Sequence, residues 1–285
     1  MYFKNRVKCG LHVSIANGID LAVDRAKEKK CDTFQIFTRN PRRWKSKSLR
    51  INEVIKFNEK LHESRMKPVF SHIPYLPNFS SSNISVYKKS VRSLIEELNR
   101  CNKLGISYIV IHLGSHLGKG RTFGLKKITN AITTAFSSSD GKATLLLENT
   151  AGAKNSMGGS FKEIQEIIDK ISDKNRLGIC FDTCHAFAAG YDLRNATTIG
   201  ETTDRLKEEI ELERLKVVHA NDSKGKLGSH IDRHEHIGIG YIGNEGFRTI
   251  LHTDIFSRLP IILETPIDKA KDDIKNLARI RKLSA

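Results

Sequence analysis

One pattern limits the fold of this chain more than any other: short apolar segments alternate with longer segments of helical period along its whole length. Eight segments are nearly all apolar, as expected for parallel strands that are buried on both faces. They are residues 7–14, 33–40, 68–75, 107–115, 143–150, 176–183, 215–222 and 260–266. Eight strand–helix units in 285 residues predict an α/β protein, a (β/α)₈ TIM barrel that forms a single domain over residues 1–285.

The segments between these strands have the apolar spacing of amphipathic helices. The clearest are residues 18–30, 86–105, 160–172, 202–215 and a last helix over 271–285. A doubly wound open sheet is the alternative fold. It is weakened because no glycine-rich GxGxxG turn follows the first strand.

The predicted strands end in an unusual set of polar residues. Six of the eight end in a histidine or a carboxylate: His72, His112, Glu148, Asp182, His219 and Glu264. The carboxyl ends of barrel strands form one rim, where barrel enzymes build their active sites. One strand-end histidine is more often a core or surface residue, but six such groups on one rim would repel one another or lack partners without a positive charge among them. The pattern therefore predicts bound metal ions.

The loop after the seventh strand contains a second set of candidate ligands in "SHIDRHEHIG". Asp232 and His234 are two positions apart, so in an extended segment their side chains point the same way and can bind one ion together. His236 has the same parity but lies close to Gly238, and we leave it out. His230 is a weaker candidate. Solvation alone is the alternative interpretation of this polar loop.

The segment "FDTCHAFAAGYD" places three reactive side chains within four positions. Asp182 and His185 are three apart, and at the end of a strand such side chains point apart, which predicts that they bind different ions. Cys184 lies beside His185 and raises the question of a Cys–His nucleophile pair. With so many other candidate ligands on the rim, we interpret Cys184 as a small packing residue.

The complete candidate set is His72, His112, Glu148, Asp182, His185, His219, Asp232, His234 and Glu264. It contains imidazoles and carboxylates and no thiolate. Zinc takes about four ligands, so these side chains with added waters can serve two or three ions. Nitrogen and oxygen ligands suit Zn²⁺, with Mn²⁺ or Fe²⁺ as alternatives. Paired metal ions are the recurring design for hydrolysis of phosphate esters.

The charge of the chain indicates a polyanionic partner. The net charge is +16, which favours nucleic acid, although a solvated lysine-rich surface is the alternative. Predicted strand-to-helix loops at 38–50, 116–121 and 223–226 concentrate arginine and lysine on the rim of the candidate ligands. Such residues bind phosphates, and aromatic or apolar side chains among them stack on bases or wedge into a duplex. The residues predicted to contact nucleic acid are Arg39, Arg42, Trp44, Tyr75 and Leu76.

Cysteine usage and hydropathy predict the compartment. The five cysteines form no CxxC pair, which favours a reducing cytosol over a disulfide framework. No apolar run reaches the roughly 18 residues of a membrane span, and no apolar leader precedes the first strand. We therefore expect a cytoplasmic protein without a membrane partner, and we expect it to be a monomer.

Three segments together resemble one known family. They are "LENTAG" at 147–152, "FDTCHAFAAGYD" at 181–192 and "HANDSKGKLGSHIDRHEHIGIG" at 219–240. In this order and spacing the chain resembles the endonuclease IV family, the metal-dependent apurinic/apyrimidinic (AP) endonucleases of base excision repair. The likeness runs from "GLHVS" near the start to "LETP" near the end. It implies a (β/α)₈ barrel with three zinc ions on a crescent-shaped face that binds double-stranded DNA containing abasic sites.

The resemblance also implies how the ligands are distributed. His72, His112 and Glu148 would hold the first ion; Glu148 would bridge to the second, with Asp182, His219 and Glu264; His185, Asp232 and His234 would hold the third. Arg42, Tyr75 and Leu76 fall where the family inserts side chains into DNA. Pro77 departs from the aliphatic residue that is more frequent there, which leaves the wedge less defined than the chemistry. His12 is not carried over as a ligand; a core or supporting role is expected.

The implied reaction is hydrolysis of the phosphodiester bond 5′ to an abasic site by a metal-activated hydroxide, with Glu148 as the catalytic residue. The products would be a 3′-hydroxyl and a 5′-deoxyribose phosphate, and 3′-blocking groups would also be removed. The alternative from the same fold is a metal-dependent sugar isomerase or epimerase, which needs one or two ions and no basic loop. A lesion-binding protein without activity is a further alternative, and it predicts missing ligands.

Overall fold

The computed structural model describes residues 7–269 and 272–285, and its centre is a closed barrel of eight parallel strands. The barrel strands are β1 (Cys9–His12), β2 (Thr33–Ile36), β3 (Val69–His72), β4 (Tyr108–Ile111), β5 (Thr144–Glu148), β6 (Leu177–Asp182), β7 (Leu215–His219) and β10 (Ile261–Leu263). They pair in the order β1-β10-β7-β6-β5-β4-β3-β2. Each falls within one predicted segment, so the eight-unit TIM barrel is confirmed and the open-sheet alternative is excluded.

Helices alternate with the barrel strands. They are α1 (Leu21–Glu28), α2 (Ile51–Ser64), α3 (Ile84–Lys103), α4 (Arg121–Ser137), α5 (Phe161–Asp169), α6 (Thr183–Ala188), α7 (Ala196–Glu209), α8 (Gly243–His252), α9 (Asp254–Ser257) and α10 (Asp272–Leu283). Within the described ranges, no helix is long and apolar enough to cross a membrane.

One helix differs in its bounds from the prediction over 202–215. Helix α7 begins earlier, because the side chain of Asn195 accepts a hydrogen bond of 3.0 Å from the Thr198 backbone amide and caps the first turn. It also ends earlier, at Glu209, and Leu212–Arg214 form a separate 3₁₀ turn. The charged pattern continues past Glu209 but the α-helix does not.

The interior of the barrel is filled by one side chain from each of six strands. This cluster consists of Phe70, Val110, Leu146, Cys180, Val217 and Ile262. Side chains two positions apart on a strand point to the same face. Each of the six strand-end ligand candidates lies two residues after one of these interior residues, so the barrel directs it inward at the carboxyl end. The six candidate ligands therefore converge at one end of the barrel because of strand periodicity.

A small hairpin extends the rim after β7. Strands β8 (Asp222–Ser223) and β9 (His234–Glu235) are antiparallel, with Ser223 opposite His234. The buried carboxylate of Asp222 accepts hydrogen bonds of 2.9 Å from the Gly238 amide and 3.0 Å from the Gly240 amide. It also accepts one of 2.9 Å from the Ile242 amide. These bonds fold the chain after β9 back onto the barrel and fix the hairpin on the rim.

Candidate metal centre

Glu148 lies at the centre of the rim, and nitrogens of three imidazoles lie within 3.3 Å of its carboxylate oxygens. Its side chain is fully buried, and its Oε2 lies 3.1 Å from His72 Nε2 and 3.3 Å from His112 Nε2. Its Oε1 lies 2.9 Å from His219 Nδ1. The two oxygens of one carboxylate therefore face different sides of the cluster. That geometry allows Glu148 to belong to two groups of ligands at once.

Two groups of candidate ligands meet at Glu148. The first is His72, His112 and Glu148; the second is Glu148, Asp182, His219 and Glu264. Within each group, one ligand atom from every residue lies within 4.8 Å of the others. In the second group, His219 Nδ1 is 3.2 Å from Glu264 Oε2. Both groups contain only side chains that the sequence placed at strand ends.

A third group lies beside them. It is formed by His185, Asp232 and His234, again with one ligand atom from each within 4.8 Å of the others. His185 Nε2 is 3.1 Å from Asp232 Oδ1, and His234 Nε2 is 3.6 Å from the same oxygen. The structure thus brings Asp232 and His234 together, as their spacing predicts. All nine candidate ligands lie in one of the three groups.

The predicted geometry of Asp182 and His185 is wrong, although the two residues lie in different groups. Helix α6 begins at Thr183, directly after β6, and the Asp182 carboxylate caps it by accepting a hydrogen bond of 2.8 Å from the His185 amide. The side chains are consequently close, with Asp182 Oδ1 3.7 Å from His185 Nδ1. The two residues lie in different ligand groups for another reason. His185 Nδ1 bonds to the Asn149 carbonyl at 2.9 Å, which leaves Nε2 to face Asp232.

Charges in the third group reinforce one another. Burial lowers the pKa of His185, but the carboxylates of Asp182 and Asp232 outweigh it and raise that pKa to about 10. Burial raises the pKa of Asp232, and the His185 imidazolium outweighs this and lowers that pKa to about 2. At Glu148 burial also raises the pKa, while the His112 and His219 imidazoles hold it well below its usual range. These imidazoles therefore keep the carboxylates of Asp232 and Glu148 ionised.

The donor set fits divalent cations. The buried His234 Nε2 has no hydrogen-bond partner, yet it lies 3.8 Å from Asp182 Oδ2 and 3.6 Å from Asp232 Oδ1. A buried nitrogen without a partner between two carboxylates is the arrangement that a bound cation would satisfy. Cys184 Sγ also lies near Asp182 and His234, and Cys180 lies near Glu148 and His219. Burial raises the pKa of both thiols far above the usual range, so without an ion they stay protonated.

The remaining rim histidines have other partners. His12 Nδ1 lies 3.4 Å from Glu264 Oε1, at the edge of the second group. His230 Nδ1 is 2.9 Å from the Ala151 carbonyl. His236 Nε2 is 3.3 Å from Asp268 Oδ2, away from the three groups. The omission of His236 from the candidate ligands therefore agrees with its position.

Several polar residues that sequence reasoning missed hold the ligands in place. Asn149 Nδ2 donates to the Asp182 carbonyl at 3.0 Å and its carbonyl contacts His185. Asn221 Nδ2 donates to Asp182 Oδ2 at 2.7 Å, and its Oδ1 accepts from the Glu264 amide at 2.9 Å. Their place in the sequence could have identified them, because each asparagine lies one or two residues after a candidate ligand, in "LENT" and "HAND".

Predicted DNA contacts lie beside the metal groups. A cavity of about 370 Å³ is lined by Tyr75 together with the metal-group residues His72, His112 and His234. Tyr75 is 66% exposed, and its ring packs edge-on against Phe37 at 5.1 Å. Leu76, the next residue, is half-buried.

Two other predicted contacts lie on the loop between β2 and α2. Arg42 is exposed, and its amide is held by Asn40 Oδ1 at 2.9 Å. Trp44 is half-buried, with Lys89 Nζ 5.8 Å from its ring. Both side chains have accessible surface on this loop.

Arg39 does not have the position of a DNA contact. Its side chain is 3% exposed, and its Nη1 lies 2.9 Å from Glu96 Oε2. Its Nη2 donates to the Ser93 carbonyl at 3.2 Å, and its Nε lies 3.5 Å from Glu97 Oε2. The guanidinium is therefore turned into the protein, where it fastens the loop to α3. The prediction failed because the sequence shows a positive charge but not the buried acids that pair with it.

The structure is a TIM barrel whose clustered histidines and carboxylates could bind metal. The family model of the xylose isomerase-like TIM barrels matches residues 23–283, so the chain belongs to that class. Within that class the chain belongs to the endonuclease IV family. It is 50% identical to "Probable endonuclease 4" of Methanoculleus marisnigri over 98% of this chain and 99% of the relative. It also resembles the crystal structure of endonuclease IV from Thermus thermophilus, with a TM-score of 0.86, 34% identity and coverage of 97% of this chain and 98% of that one.

More distant structures share the architecture. A D-tagatose 3-epimerase-like protein matches with a TM-score of 0.73 at 19% identity, over 97% of this chain and 96% of that one. This likeness shows the fold alone. The barrel by itself therefore does not separate a nuclease from a sugar epimerase, and the site must do so.

Proposed function

We propose that this chain is a zinc-dependent AP endonuclease that hydrolyses the phosphodiester bond 5′ to an abasic site in double-stranded DNA. The products are a 3′-hydroxyl and a 5′-deoxyribose phosphate, and the same site removes 3′-blocking groups. The observation that supports this most is the position of Glu148, whose two oxygens join two groups of ligands beside a third. Relatives named "Probable endonuclease 4" give independent support.

The three groups would hold three ions. His72, His112 and Glu148 would hold the first, and Glu148 would be shared with the second, held also by Asp182, His219 and Glu264. His185, Asp232 and His234 would hold the third. When bound, such ions supply an activated water as the nucleophile and positive charge for the phosphate oxygens. Zinc is preferred for this mixed set of nitrogen and oxygen ligands, with Mn²⁺ or Fe²⁺ as alternatives at one site.

The role of Glu148 is to keep two groups at a fixed separation. It is fully buried, and both of its carboxylate oxygens contact imidazole nitrogens of His72, His112 or His219, which fixes its orientation. A carboxylate held this way stays ionised, because the surrounding imidazoles lower its pKa. We assign it as the catalytic residue because it would be the ligand that the first two groups share.

The rim outside the cluster would bind and deform DNA. Arg42 and Tyr75 are exposed and lie on the loops after β2 and β3, and the Tyr75 ring lines the cavity over the metal groups. Side chains in these positions can enter the duplex beside a lesion and favour an extrahelical nucleotide. An abasic nucleotide costs least to extrude, because its base stacking is already lost. This gives the substrate preference a physical origin in the lesion itself.

A sugar isomerase or epimerase is the second candidate, because several solved epimerases share the fold. Such an enzyme would need only one or two ions on the same rim. The third group of His185, Asp232 and His234, together with an exposed Arg42 loop, favours the nuclease.

An end-group experiment tests the proposal. A duplex with one abasic site and a labelled 5′ end is incubated with the protein. A DNA polymerase and nucleotides are then added, and extension of the labelled product is measured. Hydrolysis 5′ to the lesion leaves an extendable 3′-hydroxyl. A product that cannot be extended, or a protein that epimerises ketohexoses and leaves the duplex intact, would overturn the proposal. Glu148→Gln is the matched inactive control.

A further inference from the structure

Two of the eight barrel strands supply none of the candidate ligands. On β1 and β2 the corresponding inward positions are filled by His12 and Gln35, which are partners in the strand register. Gln35 is in register with the interior residue Phe70, and His12 with Gln35, so both side chains point into the barrel as the ligands do on the other six strands. Every other strand contributes a ligand to this rim.

Gln35 is fully buried, and its amide touches three members of the rim. Its Nε2 donates to Glu264 Oε1 at 2.6 Å, and it lies 3.0 Å from His12 Nδ1. Its Oε1 lies 2.9 Å from His219 Nε2. One amide group thus links two side chains of the second group to each other.

The direction of that amide follows from chemistry. The Glu264 carboxylate only accepts, so the neighbouring Gln35 atom must be the donating nitrogen. The opposite orientation would place two oxygens against each other at 2.6 Å. The Gln35 oxygen therefore faces His219 Nε2, which must carry the proton that it donates. His219 Nδ1 faces Glu148 and Glu264, and in a neutral ring with the proton on Nε2 it carries the lone pair that can bind a cation.

His219 differs from other histidines of the cluster in which ring nitrogen faces the carboxylates. His72, His185 and His234 each direct Nδ1 at a backbone carbonyl, at 2.7, 2.9 and 3.1 Å respectively. Those bonds leave Nε2 to face the carboxylates. At His219 the pattern is reversed, and the partner that reverses it is the side chain of Gln35. Since a side chain can be replaced, this position can be tested where backbone carbonyls cannot.

We propose that Gln35 is a positioning residue for the second group of ligands. It fixes His219 so that the imidazole binds a divalent cation through Nδ1, and it holds the Glu264 carboxylate against the same cation. His12 completes the arrangement by accepting the second amide hydrogen of Gln35. This inference rests on the proposed metal centre.

The variant that tests it is Gln35→Met, which keeps the length of the side chain and removes its hydrogen bonds to Glu264, His12 and His219. Thr33→Val is the matched control: it lies on the same strand, is fully buried, and removes one hydrogen bond, from Thr33 Oγ1 to the Pro68 carbonyl. Zinc content and zinc affinity are measured for both variants and for the unmodified protein, by competition with a chromophoric chelator. Losing a partner that orients a ligand typically costs about 10–100-fold in metal affinity.

We expect one class of zinc to bind about 10–100-fold more weakly in Gln35→Met, with the other classes and the Thr33→Val protein unchanged. Equal weakening of all classes in both variants would indicate a role in folding only and overturn the inference. Unchanged affinity in Gln35→Met would also overturn it. If the unmodified protein binds no zinc at all, the proposed metal centre itself fails, and this result is separate from the other two.

A spectroscopic measurement does not depend on how the variant folds. In the zinc-loaded protein labelled with ¹⁵N and ¹³C at histidine, the His219 ring nitrogens are assigned through their ring carbons. We expect a metal-bound Nδ1 and a protonated Nε2, with the Nε2 proton protected from exchange by Gln35. A metal-bound Nε2 with a protonated Nδ1 would overturn the inference.

Discussion

His185 Nε2 lies 3.1 Å from Asp232 Oδ1, and so joins the start of α6 to the loop that precedes β9. In the metal-free protein this contact is an ion pair at neutral pH, because the pKa of His185 is raised to about 10 and that of Asp232 is lowered to about 2. A metal ion binds only a neutral imidazole. Filling the third group must therefore displace the His185 proton.

Proton release on zinc binding follows directly. Calorimetric titration of the metal-free protein with zinc at about neutral pH, in buffers of different ionisation enthalpy, should show protons leaving the protein, and zinc affinity should fall as the pH is lowered. His185→Asn should release about one proton fewer. His236→Asn is the control, since His236 lies outside the three groups. Equal proton release from His185→Asn and the unmodified protein would contradict this account.

Glu148→Gln should abolish incision while binding to abasic DNA survives. The amide keeps the shape but removes the charge that faces three imidazoles, so two groups of ligands lose their shared carboxylate. We expect incision to fall on the order of 10³-fold or more, as the loss of several kcal/mol of transition-state stabilisation implies. Single-turnover cleavage and a binding titration on the same duplex measure the two effects. Full activity with metal present would rule out the bridging role.

Cys184→Ser should keep its metal ions and most of its activity. The Cys184 side chain is fully buried, its Sγ lies 3.6 Å from the Arg233 carbonyl, and burial keeps it as a protonated thiol. A serine hydroxyl can make the same contact. Metal analysis and steady-state incision, with Cys184→Ala beside it, provide the check. If both variants lose an ion, Cys184 is a ligand and not a packing residue.

Arg39→Ala should lower the stability of the fold, whereas Arg42→Ala should weaken DNA binding. Without Arg39 the fully buried Glu97 loses its positive neighbour, and removing one member of a buried pair typically costs about 3–5 kcal/mol of unfolding free energy. Arg42→Ala should leave stability unchanged and weaken binding to abasic duplex about tenfold, the effect of losing roughly 1.4 kcal/mol. Denaturant unfolding and fluorescence anisotropy separate the two. Normal stability of Arg39→Ala would contradict the assignment of Arg39 to the loop anchor.

Periodicity explains how much of this site could be predicted. His72, Glu148 and Glu264 can be predicted because each is a polar residue at the end of an apolar strand, and the structure shows that strand alternation directs it inward, two residues after an interior side chain. The start of α6 was not predicted, since "DTCHAF" has no strong helical period and the Asp182 cap is visible only in three dimensions. Gln35 was missed for a related reason: its role depends on contacts with strands far away in the sequence.

Metal content and incision measured on the same preparation show whether the ions held by this site are needed to cleave DNA. The protein is analysed for bound metal and assayed on a duplex with a single abasic site, before and after treatment with a chelator and after zinc is restored. We expect about three zinc ions per chain, with incision that is lost on chelation and recovered with zinc. Incision that continues undiminished after all metal has been removed would contradict it.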